Sequence, residues 1–349
     1  MSTTTPAYAA PSAGAPLAPT TITRRAVRGA DVRIAIKYSG VCHTDVVQTS
    51  DGWGKGRYPM VPGHEITGLV VETGPDATRY AVGDRVGVGT YVDSCRTCEA
   101  CEAGLEVYCL NGCTPTYNAV DRDGETTQGG YSGEIVADER YVVRIPDSLP
   151  LDAAAPLLCA GITTYSPLVH WKVGPGTRIA VLGMGGLGHV AVQLAHAMGA
   201  EVTVLSRTLG KKDDGLRLGA DHYYATEDPA TFEKLAGSFD IVLCTVSGAL
   251  HFDRYLGLLK LDGTLVNVGA PDEDITMNNW ALIPARRSYA ASSAGGMPEI
   301  QEMLDFCGAH GITAQIETVR VQDVNDAFAR LERSQVRYRF VIDMASLEA

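Results

Sequence analysis

The sequence lacks the features of several protein classes. Its 349 residues carry 29 Lys and Arg against 41 Asp and Glu, so the basic surplus typical of nucleic-acid binding is missing. Glycine and proline, at 38 and 17 residues, are too few for a low-complexity chain. No segment reaches the ~18 apolar residues of a membrane span, and the first twenty residues lack the apolar run of a secretory signal. We therefore expect a cytoplasmic protein with neither nucleic acid nor membrane as a partner.

Two different patterns of apolar residues follow one another along the chain. Before residue 155, short alternating segments such as 32–38 predict strands joined by tight turns. From residue 177, strand segments alternate with helical patterns, which predicts a parallel, doubly wound sheet. The strands predicted in that part are 177–182, 201–206, 239–244, 264–268 and 288–291. The last fifty residues hold two predicted helices, 298–307 and 321–333, and a strand at 339–342.

These patterns predict an α/β protein of two domains. We place a β-rich domain at 1–158 and 297–349, because the last helices and strand look like a return to the first part of the chain. We place a nucleotide-binding domain at 159–296. A length of 349 residues suits about two domains, since domains usually contain roughly 100–200 residues.

Four cysteines in one loop predict a metal site. Four thiolates at the spacing C-x2-C-x2-C-x7-C suit tetrahedral structural zinc. An iron–sulfur cluster is an alternative, but the ferredoxin run has three residues before its last cysteine and a proline after it. Unliganded or redox cysteines are another. We predict a structural zinc in a lobe at 91–113, and we interpret the nearby Cys113 as a spare, half-buried thiol. The predicted ligands are Cys95, Cys98, Cys101 and Cys109.

A glycine-rich turn follows the predicted strand at 177–182. It has the pattern G-x-G-x-x-G between a strand and an amphipathic helix, the context in which this pattern indicates dinucleotide binding rather than a plain turn. Gly183 makes the tight turn, Gly185 lets the backbone approach a pyrophosphate, and Gly188 lets helix and strand pack closely. Gly186 and Leu187 lie in the same turn, at the helix start that faces the phosphate charge. We assign all five residues to the cofactor site.

The residues after the next predicted strand select the nucleotide. An NAD site usually has Asp or Glu there to bind the ribose 2′-hydroxyl. This chain has Ser206 and Arg207 instead, followed by Lys211 and Lys212. A hydroxyl and a group of cations suit a 2′-phosphate, so we predict NADP(H), bound by Ser206, Arg207 and Lys211. The alternative is that the lysines only cap a solvated helix, and two aspartates follow them directly.

Three further segments carry residue types that are common metal ligands. Cys42 lies in CHTD, His64 in GHE and Cys159 in LLCAG. None of these segments is a metal motif alone, and a single buried cysteine or histidine is more often a core residue. Two thiolates and one imidazole together match a catalytic zinc with an open fourth position. Such a zinc polarises a carbonyl or lowers the pKa of an alcohol, and a nicotinamide next to it carries the hydride.

The motifs taken together resemble the zinc-dependent medium-chain dehydrogenase/reductase family, in its cinnamyl-alcohol-dehydrogenase-like branch. The resemblance implies a GroES-like β-rich catalytic domain, a Rossmann nucleotide domain, and an active site in the cleft between them. It also implies two zinc ions per chain and a homodimer or homotetramer joined through the nucleotide domain. The matching segments are GVCHTD, YPMVPGHE, the four-cysteine lobe, TYNA, TQGGYS, LLCAGITTYSPL, GMGGLGH and MLDFCGAHGI.

The resemblance assigns roles around the second metal. It implies that Cys42, His64 and Cys159 bind the catalytic zinc. It implies that Glu65 is an alternate ligand or a close neighbour of the ligands. It also implies that Asp45 orients His64, as carboxylates beside metal-binding histidines do.

The resemblance assigns further roles toward substrate and cofactor. Thr44 would hydrogen-bond the substrate oxygen and start the proton relay, and His43 would lie near the pyrophosphate. Gln48 and Trp53 would line the substrate pocket, although Trp53 equally suits a loop anchor.

Two positions depart from the family pattern. Many relatives carry a histidine three residues after the relay threonine, where it passes the proton to solvent, and this chain has Val47. Another path then carries the proton, or the proton-coupled step is slowed. The plant enzymes often have a tryptophan just before the TYN segment, where this chain has Pro115. We therefore expect a differently shaped pocket.

Three functional hypotheses remain at this point. The leading one is an NADP(H)-dependent zinc alcohol dehydrogenase and aldehyde reductase, acting on primary alcohols and aldehydes, with aromatic or allylic substrates favoured. A second is reduction of a conjugated C=C or iminium bond on the same scaffold, which depends less on a proton relay. A third is a non-catalytic, zinc-stabilised nucleotide-binding protein, which needs only the lobe and the glycine turn. Two zinc ions per chain fit an enzyme, and one fits the binding protein.

Overall fold

The computed structural model describes residues 1–270 and 274–348. The chain forms two compact units, of which the first comprises Met1–Ile162 and Gly295–Ala349 and the second Thr163–Ala294. Among the described residues, no helix has both the length and the apolar character that crossing a bilayer would take. The predicted domain boundaries stay a prediction.

Seventeen strands are found within the described residues. They are β1 (Thr3–Ala9), β2 (Ala18–Arg24), β3 (Asp31–Val41), β4 (Ile66–Thr73), β5 (Arg85–Val88), β6 (Tyr91–Asp93), β7 (Thr114–Pro115), β8 (Glu134–Asp138), β9 (Val143–Arg144), β10 (Arg178–Leu182), β11 (Glu201–Ser206), β12 (His222–Ala225), β13 (Phe239–Cys244), β14 (Leu259–Asn267), β15 (Ser288–Ala291), β16 (Ile316–Arg320) and β17 (Arg339–Asp343).

Ten α-helices lie within the same described part of the chain. They are α1 (His43–Thr49), α2 (Glu99–Glu102), α3 (Leu151–Ala154), α4 (Ala160–His170), α5 (Gly188–Ala197), α6 (Lys212–Arg217), α7 (Ala230–Lys234), α8 (Phe252–Leu256), α9 (Met297–His310) and α10 (Val324–Glu332). Several short 3-10 turns connect them, including the one at Val321–Asp323 that precedes α10.

A seven-stranded sheet organises the first unit. Its order is β16-β17-β3-β4-β5-β9, with β8 also paired to β3. The alternation predicted for residues 32–38 is confirmed, because the even-numbered apolar side chains from Val32 to Ile36 are buried in the core. β3 is long enough to pair with β8 along its first half and with β17 near its end. The end of β3 therefore lies beside β4 and β17, which places residues 42, 65 and 339 close together.

An N-terminal hairpin of β1 and β2 was not predicted. Its Thr, Pro and Ala-rich sequence lacks the apolar alternation that indicates a strand. Arg24 at the end of β2 is buried and donates to the backbone oxygens of Gln128, Gly129 and Glu134. Because these bonds satisfy carbonyl groups that would otherwise be buried without partners, the hairpin holds the segment before β8 in place.

A parallel six-stranded sheet organises the second unit. Its order is β12-β11-β10-β13-β14-β15, and every pairing in it is parallel. The order reverses between β10 and β13, and ligands of doubly wound sheets bind at the carboxyl ends of the strands at such a reversal. The prediction of a doubly wound parallel sheet is confirmed, and the glycine turn directly follows the strand at the reversal.

Candidate functional site

The four lobe cysteines form one cluster. Their sulfur atoms all lie within 4.8 Å of one another. The sulfurs of Cys95 and Cys101 are 3.9 Å apart, and those of Cys98 and Cys109 are also 3.9 Å apart. The backbone N–H of Cys95 lies 3.4 Å from the sulfur of Cys109, and that of Leu110 lies 3.4 Å from the sulfur of Cys98. Four converging thiols with N–H donors around them fit a structural zinc ion.

The local electrostatics of the lobe are uneven. A backbone N–H from Thr97 lowers the pKa of Cys95 to about 5, whereas burial raises the pKa of Cys101 to about 11. Metal binding requires deprotonated thiols, and the N–H donors favour that form. Cys113 does not belong to the cluster, and burial raises its pKa.

A second cluster joins the other predicted ligands. Potential ligand atoms of Cys42, His64, Glu65 and Cys159 lie within 4.8 Å of one another, all in the first unit. Cys42 directly precedes α1, His64 and Glu65 directly precede β4, and Cys159 directly precedes α4. The sulfurs of Cys42 and Cys159 are 4.0 Å apart. The fold therefore brings together residues that are up to 117 positions apart in the sequence.

Glu65 and Arg339 form a buried ion pair beside this cluster. The Nη2 of Arg339 donates to Oε1 of Glu65, and both side chains are almost fully enclosed. Oε2 of Glu65 has no hydrogen-bond partner among the described residues. Burial raises the pKa of Glu65 to about 7, although Arg339 opposes that shift. An orphaned carboxylate oxygen next to two sulfurs and an imidazole is a donor set that fits zinc.

Gly40 on β3 makes room for this carboxylate. A Cβ atom at position 40 would lie 2.0 Å from Oε2 of Glu65, so a side chain there would displace the ion pair. The requirement for glycine at this position therefore comes from the close approach of a functional side chain to the backbone.

Charge also links the ligands to one another. The hydrogen bond with Cys159 lowers the pKa of Cys42, and it raises the pKa of Cys159. Burial by itself would lower the pKa of His64, but Asp45 raises it well above the ordinary range. The two thiols therefore favour one shared negative charge, and Asp45 makes His64 a good hydrogen-bond donor.

Asp45 lies directly behind His64, as the resemblance implies for the residue that orients it. The carboxylate is fully buried, with Oδ1 3.3 Å from Nδ1 of His64. Every other group that contacts its oxygens is also a donor. These donors are the backbone N–H groups of Cys42 and Gly63 and the hydroxyls of Tyr117 and Tyr131.

Helix α1 carries the residues predicted to face the substrate. Thr44, Val47 and Gln48 are three and four residues apart, so they lie on one face of the helix. The side-chain oxygen of Gln48 accepts a hydrogen bond of 2.7 Å from Asn118. Trp53 lies in the turn after α1 and is 45% exposed. The roles assigned to these side chains, and to the exposed His43 at the start of α1, stay predictions.

The glycine turn joins β10 to α5 in the second unit. Gly183 has a φ of +99°, and a Cβ at position 188 would lie 1.9 Å from its carbonyl oxygen. A Cβ at Gly185 would meet no atom of the described residues beyond its chain neighbours within 4 Å. The first and third glycines are therefore needed for the fold of the turn, whereas the second leaves open space. This arrangement fits a pyrophosphate that approaches the backbone at Gly185.

The side chains predicted to bind a 2′-phosphate lie at the end of β11. Ser206 is the last residue of the strand, and Arg207 is exposed, with its Nε 3.7 Å from a carboxylate oxygen of Glu227. The Nζ of Lys211 donates to the backbone oxygen of Met184 at 2.9 Å. Lys211 therefore lies against the glycine turn, where its charge is close to the predicted phosphates.

Four residues around the second cluster had no predicted role. The motifs TYNA and TQGGYS carry Tyr117 and Tyr131, but they supported only the resemblance. Arg339 begins a strand and is followed by three apolar residues, and a buried charge beside such residues indicates that a partner is buried nearby. Gly40 precedes the cysteine motif, and its role depends on a contact that the sequence does not show.

Comparisons with known proteins agree with this geometry. The family model described as alcohol dehydrogenase GroES-like domain matches residues 28–147, and that described as zinc-binding dehydrogenase matches residues 186–309. The chain is similar to NADP-dependent alcohol dehydrogenase C 1 of Mycolicibacterium smegmatis, with 60% identity over 99% of both chains.

Two solved structures share the fold of the chain. Cinnamyl alcohol dehydrogenase from Sorghum bicolor is 45% identical over 98% of both chains, with a TM-score of 0.95. The cinnamyl alcohol dehydrogenase of Helicobacter pylori, complexed with NADP(H), is 38% identical over 99% of both chains, with a TM-score of 0.93. The predictions of the two-domain fold, of zinc and of NADP(H) are confirmed.

Two glycine substitutions should separate cofactor binding from folding. Gly185→Ala is expected to weaken NADPH binding at least about tenfold, because its methyl group occupies the space that the pyrophosphate needs. The melting temperature should not change, because the methyl group collides with no described protein atom. Gly188→Ala is expected to lower the free energy of unfolding by about 1–3 kcal/mol, because its methyl group collides with the backbone at Gly183. Fluorescence titration with NADPH and thermal denaturation measure the two effects. Equal NADPH affinity in Gly185→Ala and the wild type would contradict this assignment.

Proposed function

The chain belongs to the zinc-dependent medium-chain dehydrogenase/reductase family, in its cinnamyl-alcohol-dehydrogenase-like branch, and from this premise we propose how its residues interconvert primary alcohols and aldehydes with NADP(H). The proposal is carried by one observation, the convergence of Cys42, His64 and Cys159 within 4.8 Å. Two thiols and one imidazole are the protein ligands of a catalytic zinc that keeps a position open for substrate. A zinc-stabilised binding protein without catalysis has no need of this second cluster.

Different residues at the second cluster bind the metal, orient a ligand and compensate a buried charge. Cys42, His64 and Cys159 bind zinc, which when bound polarises a carbonyl or lowers the pKa of an alcohol. Asp45 holds the Nδ1–H of His64, which leaves Nε2 as the nitrogen with a lone pair. Glu65 offers its unpartnered Oε2 as an alternate ligand, and Arg339 keeps the rest of that carboxylate compensated.

The proton and the cofactor are handled by other residues. The hydroxyl of Thr44 hydrogen-bonds the substrate oxygen. When the alcohol is oxidised, this hydroxyl accepts the substrate proton and gives its own proton to water, and the two transfers run in reverse when the aldehyde is reduced. NADP(H), when bound, would supply the nicotinamide that accepts or gives the hydride. The turn at Gly183–Gly188 binds the pyrophosphate at the start of α5. Ser206, Arg207 and Lys211 bind the 2′-phosphate, for which Arg207 exchanges its exposed partner Glu227.

Aromatic or allylic aldehydes are the proposed substrates. The names of the plant and bacterial cinnamyl alcohol dehydrogenases that share this fold support that class. Gln48 lies one helical turn after Thr44, and Asn118 fixes its amide oxygen, so a pocket wall at this place is rigid. Trp53 is the proposed aromatic surface of the pocket.

Reduction of cinnamaldehyde tests the proposed reaction. With NADPH, the purified protein is expected to form cinnamyl alcohol, identified by chromatography and mass spectrometry. The saturated aldehyde as product would instead assign the enzyme to C=C reduction.

Thr44→Val is expected to reduce kcat about 100-fold or more, because it removes the hydroxyl and keeps the shape of the side chain. Thr44→Ser is the matched control and should retain most of the activity.

The relay position can be tested by restoring a histidine. Val47 lies three residues after Thr44 on the same face of α1, where an imidazole would reach the proton path. Val47→His is expected to raise the rate of alcohol oxidation at neutral pH by about tenfold, because an imidazole carries protons in that range. Val47→Phe provides a ring without a titratable nitrogen as the control. An unchanged oxidation rate in Val47→His would show that another path already carries the proton.

A homodimer joined through the second unit is part of this proposal. β15 is the edge strand of the parallel sheet, so one side of its backbone is open to a partner. Trp280, Ile283 and Leu261 are 71%, 51% and 67% exposed. They lie on neighbouring segments, because Arg286 pairs with Asp262. Exposed large apolar side chains beside an open strand edge support an interface between two copies.

Light scattering of the purified protein tests the oligomer. We expect a mass of at least twice 37.0 kDa for the wild type. Ile283→Glu should give a monomer, because it places a charge in the proposed interface. Val82→Glu is the matched control, since Val82 is 66% exposed in the first unit and should not change the mass. A monomeric wild type would contradict the proposed dimer.

A reducing compartment such as the cytoplasm is the proposed location. All nine cysteines are free, and the two metal clusters contain six of them. Thiolate ligands are retained where the surroundings keep thiols reduced. Cell fractionation with an antibody against the protein would test the location.

A further inference from the structure

A buried carboxylate that is not a metal ligand holds the catalytic cluster together. Oδ1 of Asp45 accepts from the Tyr117 hydroxyl at 2.8 Å and from the Gly63 N–H at 3.2 Å. Oδ2 accepts from the Cys42 N–H at 2.8 Å and from the Tyr131 hydroxyl at 3.2 Å. All of these partners are donors, so both oxygens of Asp45 act as acceptors, as they do in an ionised carboxylate.

The two phenol groups reach Asp45 from different segments of the chain. Tyr117 follows β7 and Tyr131 precedes β8, whereas Asp45 lies on α1. Each hydroxyl binds a different oxygen of the carboxylate, so the pair restrains its rotation from two sides. The orientation of the carboxylate in turn sets the position of Oδ1, which contacts Nδ1 of His64 and so orients the imidazole ring.

Each tyrosine also makes a second contact near His64. The ring of Tyr117 is stacked on the imidazole, with ring centroids 5.9 Å apart and an angle of 22° between the planes. The ring of Tyr131 packs against Gly63, where a Cβ would come within 2.6 Å of it. The same two side chains therefore hold the carboxylate that accepts from His64. They also contact the imidazole ring of His64 and the backbone of Gly63, which directly precedes it.

We propose that Tyr117 and Tyr131 are positioning residues that set the zinc affinity of the catalytic site through Asp45 and His64. The inference rests on the proposed function, because it takes His64 to be a zinc ligand. When either hydroxyl is removed, the oxygen that it bound keeps its backbone donor but loses its side-chain donor, so the carboxylate is restrained less tightly on that side. His64 then samples more orientations, and zinc leaves the site more readily.

Single-atom variants test the proposal. Tyr117→Phe and Tyr131→Phe each remove one hydroxyl and keep the ring, and each is expected to release catalytic zinc to a chromogenic chelator about tenfold faster. The catalytic phase of release is identified as the one that is missing in Cys159→Ser. With cobalt(II) in place of zinc, Tyr117→Phe is expected to shift the ligand-field bands of the holoenzyme, because the imidazole changes its orientation.

Tyr80→Phe is the matched control. Its hydroxyl is also buried and donates to the backbone oxygen of Val142 at 2.6 Å, but it has no contact with Asp45. This variant should lose thermal stability without a change in zinc release. Wild-type release rates in both Tyr117→Phe and Tyr131→Phe, or equally fast release in Tyr80→Phe, would overturn the positioning role. A wild type with only one zinc per chain would overturn the proposed function itself.

Discussion

The burial of the Asp45 carboxylate is the constraint on which the cluster of Cys42, His64, Glu65 and Cys159 depends. Moving a charged group out of water costs several kcal/mol unless donors replace its hydration shell. Here the donors come from the start of α1, from the loop before β4 and from two tyrosines, Tyr117 and Tyr131, on separate segments. These segments must therefore meet before the carboxylate can be buried. The positions of Cys42 and His64 follow from that meeting, because both residues contact Asp45.

The ion pair of Glu65 and Arg339 imposes a second electrostatic constraint nearby. A full positive charge compensates one carboxylate oxygen, while the other oxygen meets no hydrogen-bond donor in the part of the chain that the structure describes. Such a half-satisfied group is unfavourable in a plain protein core. It becomes understandable next to a metal site, where a cation supplies the missing compensation. Gly40 shows that the backbone of β3 is adapted to this arrangement, since no side chain fits there.

Features formed by residues close together in the sequence could be predicted, whereas features that depend on contacts between distant segments could not be predicted from spacing alone. The lobe cysteines and the turn from Gly183 to Gly188 are local motifs, so their spacing was sufficient. The cluster around Cys42 and Cys159 needed the family resemblance, because its members come from distant segments. The contacts of Tyr117 and Arg339 were not predictable, since they arise from how strands pair in three dimensions. The N-terminal hairpin was missed for a different reason. The buried positions of β1 are threonine and alanine, which do not form the alternation of large apolar residues that indicates a strand.

The position of Arg339 in the sequence has a consequence for how the protein is made. It lies 274 residues after Glu65, on a strand that pairs with β3 only after the whole second unit has been synthesised. Contacts of such long sequence separation form late and slowly. During translation, the nascent chain therefore exposes β3 and Glu65 without their final partners. The ion pair of Glu65 and Arg339 therefore forms only after the last strand has been translated, so an interrupted product lacks the charge that compensates the buried carboxylate.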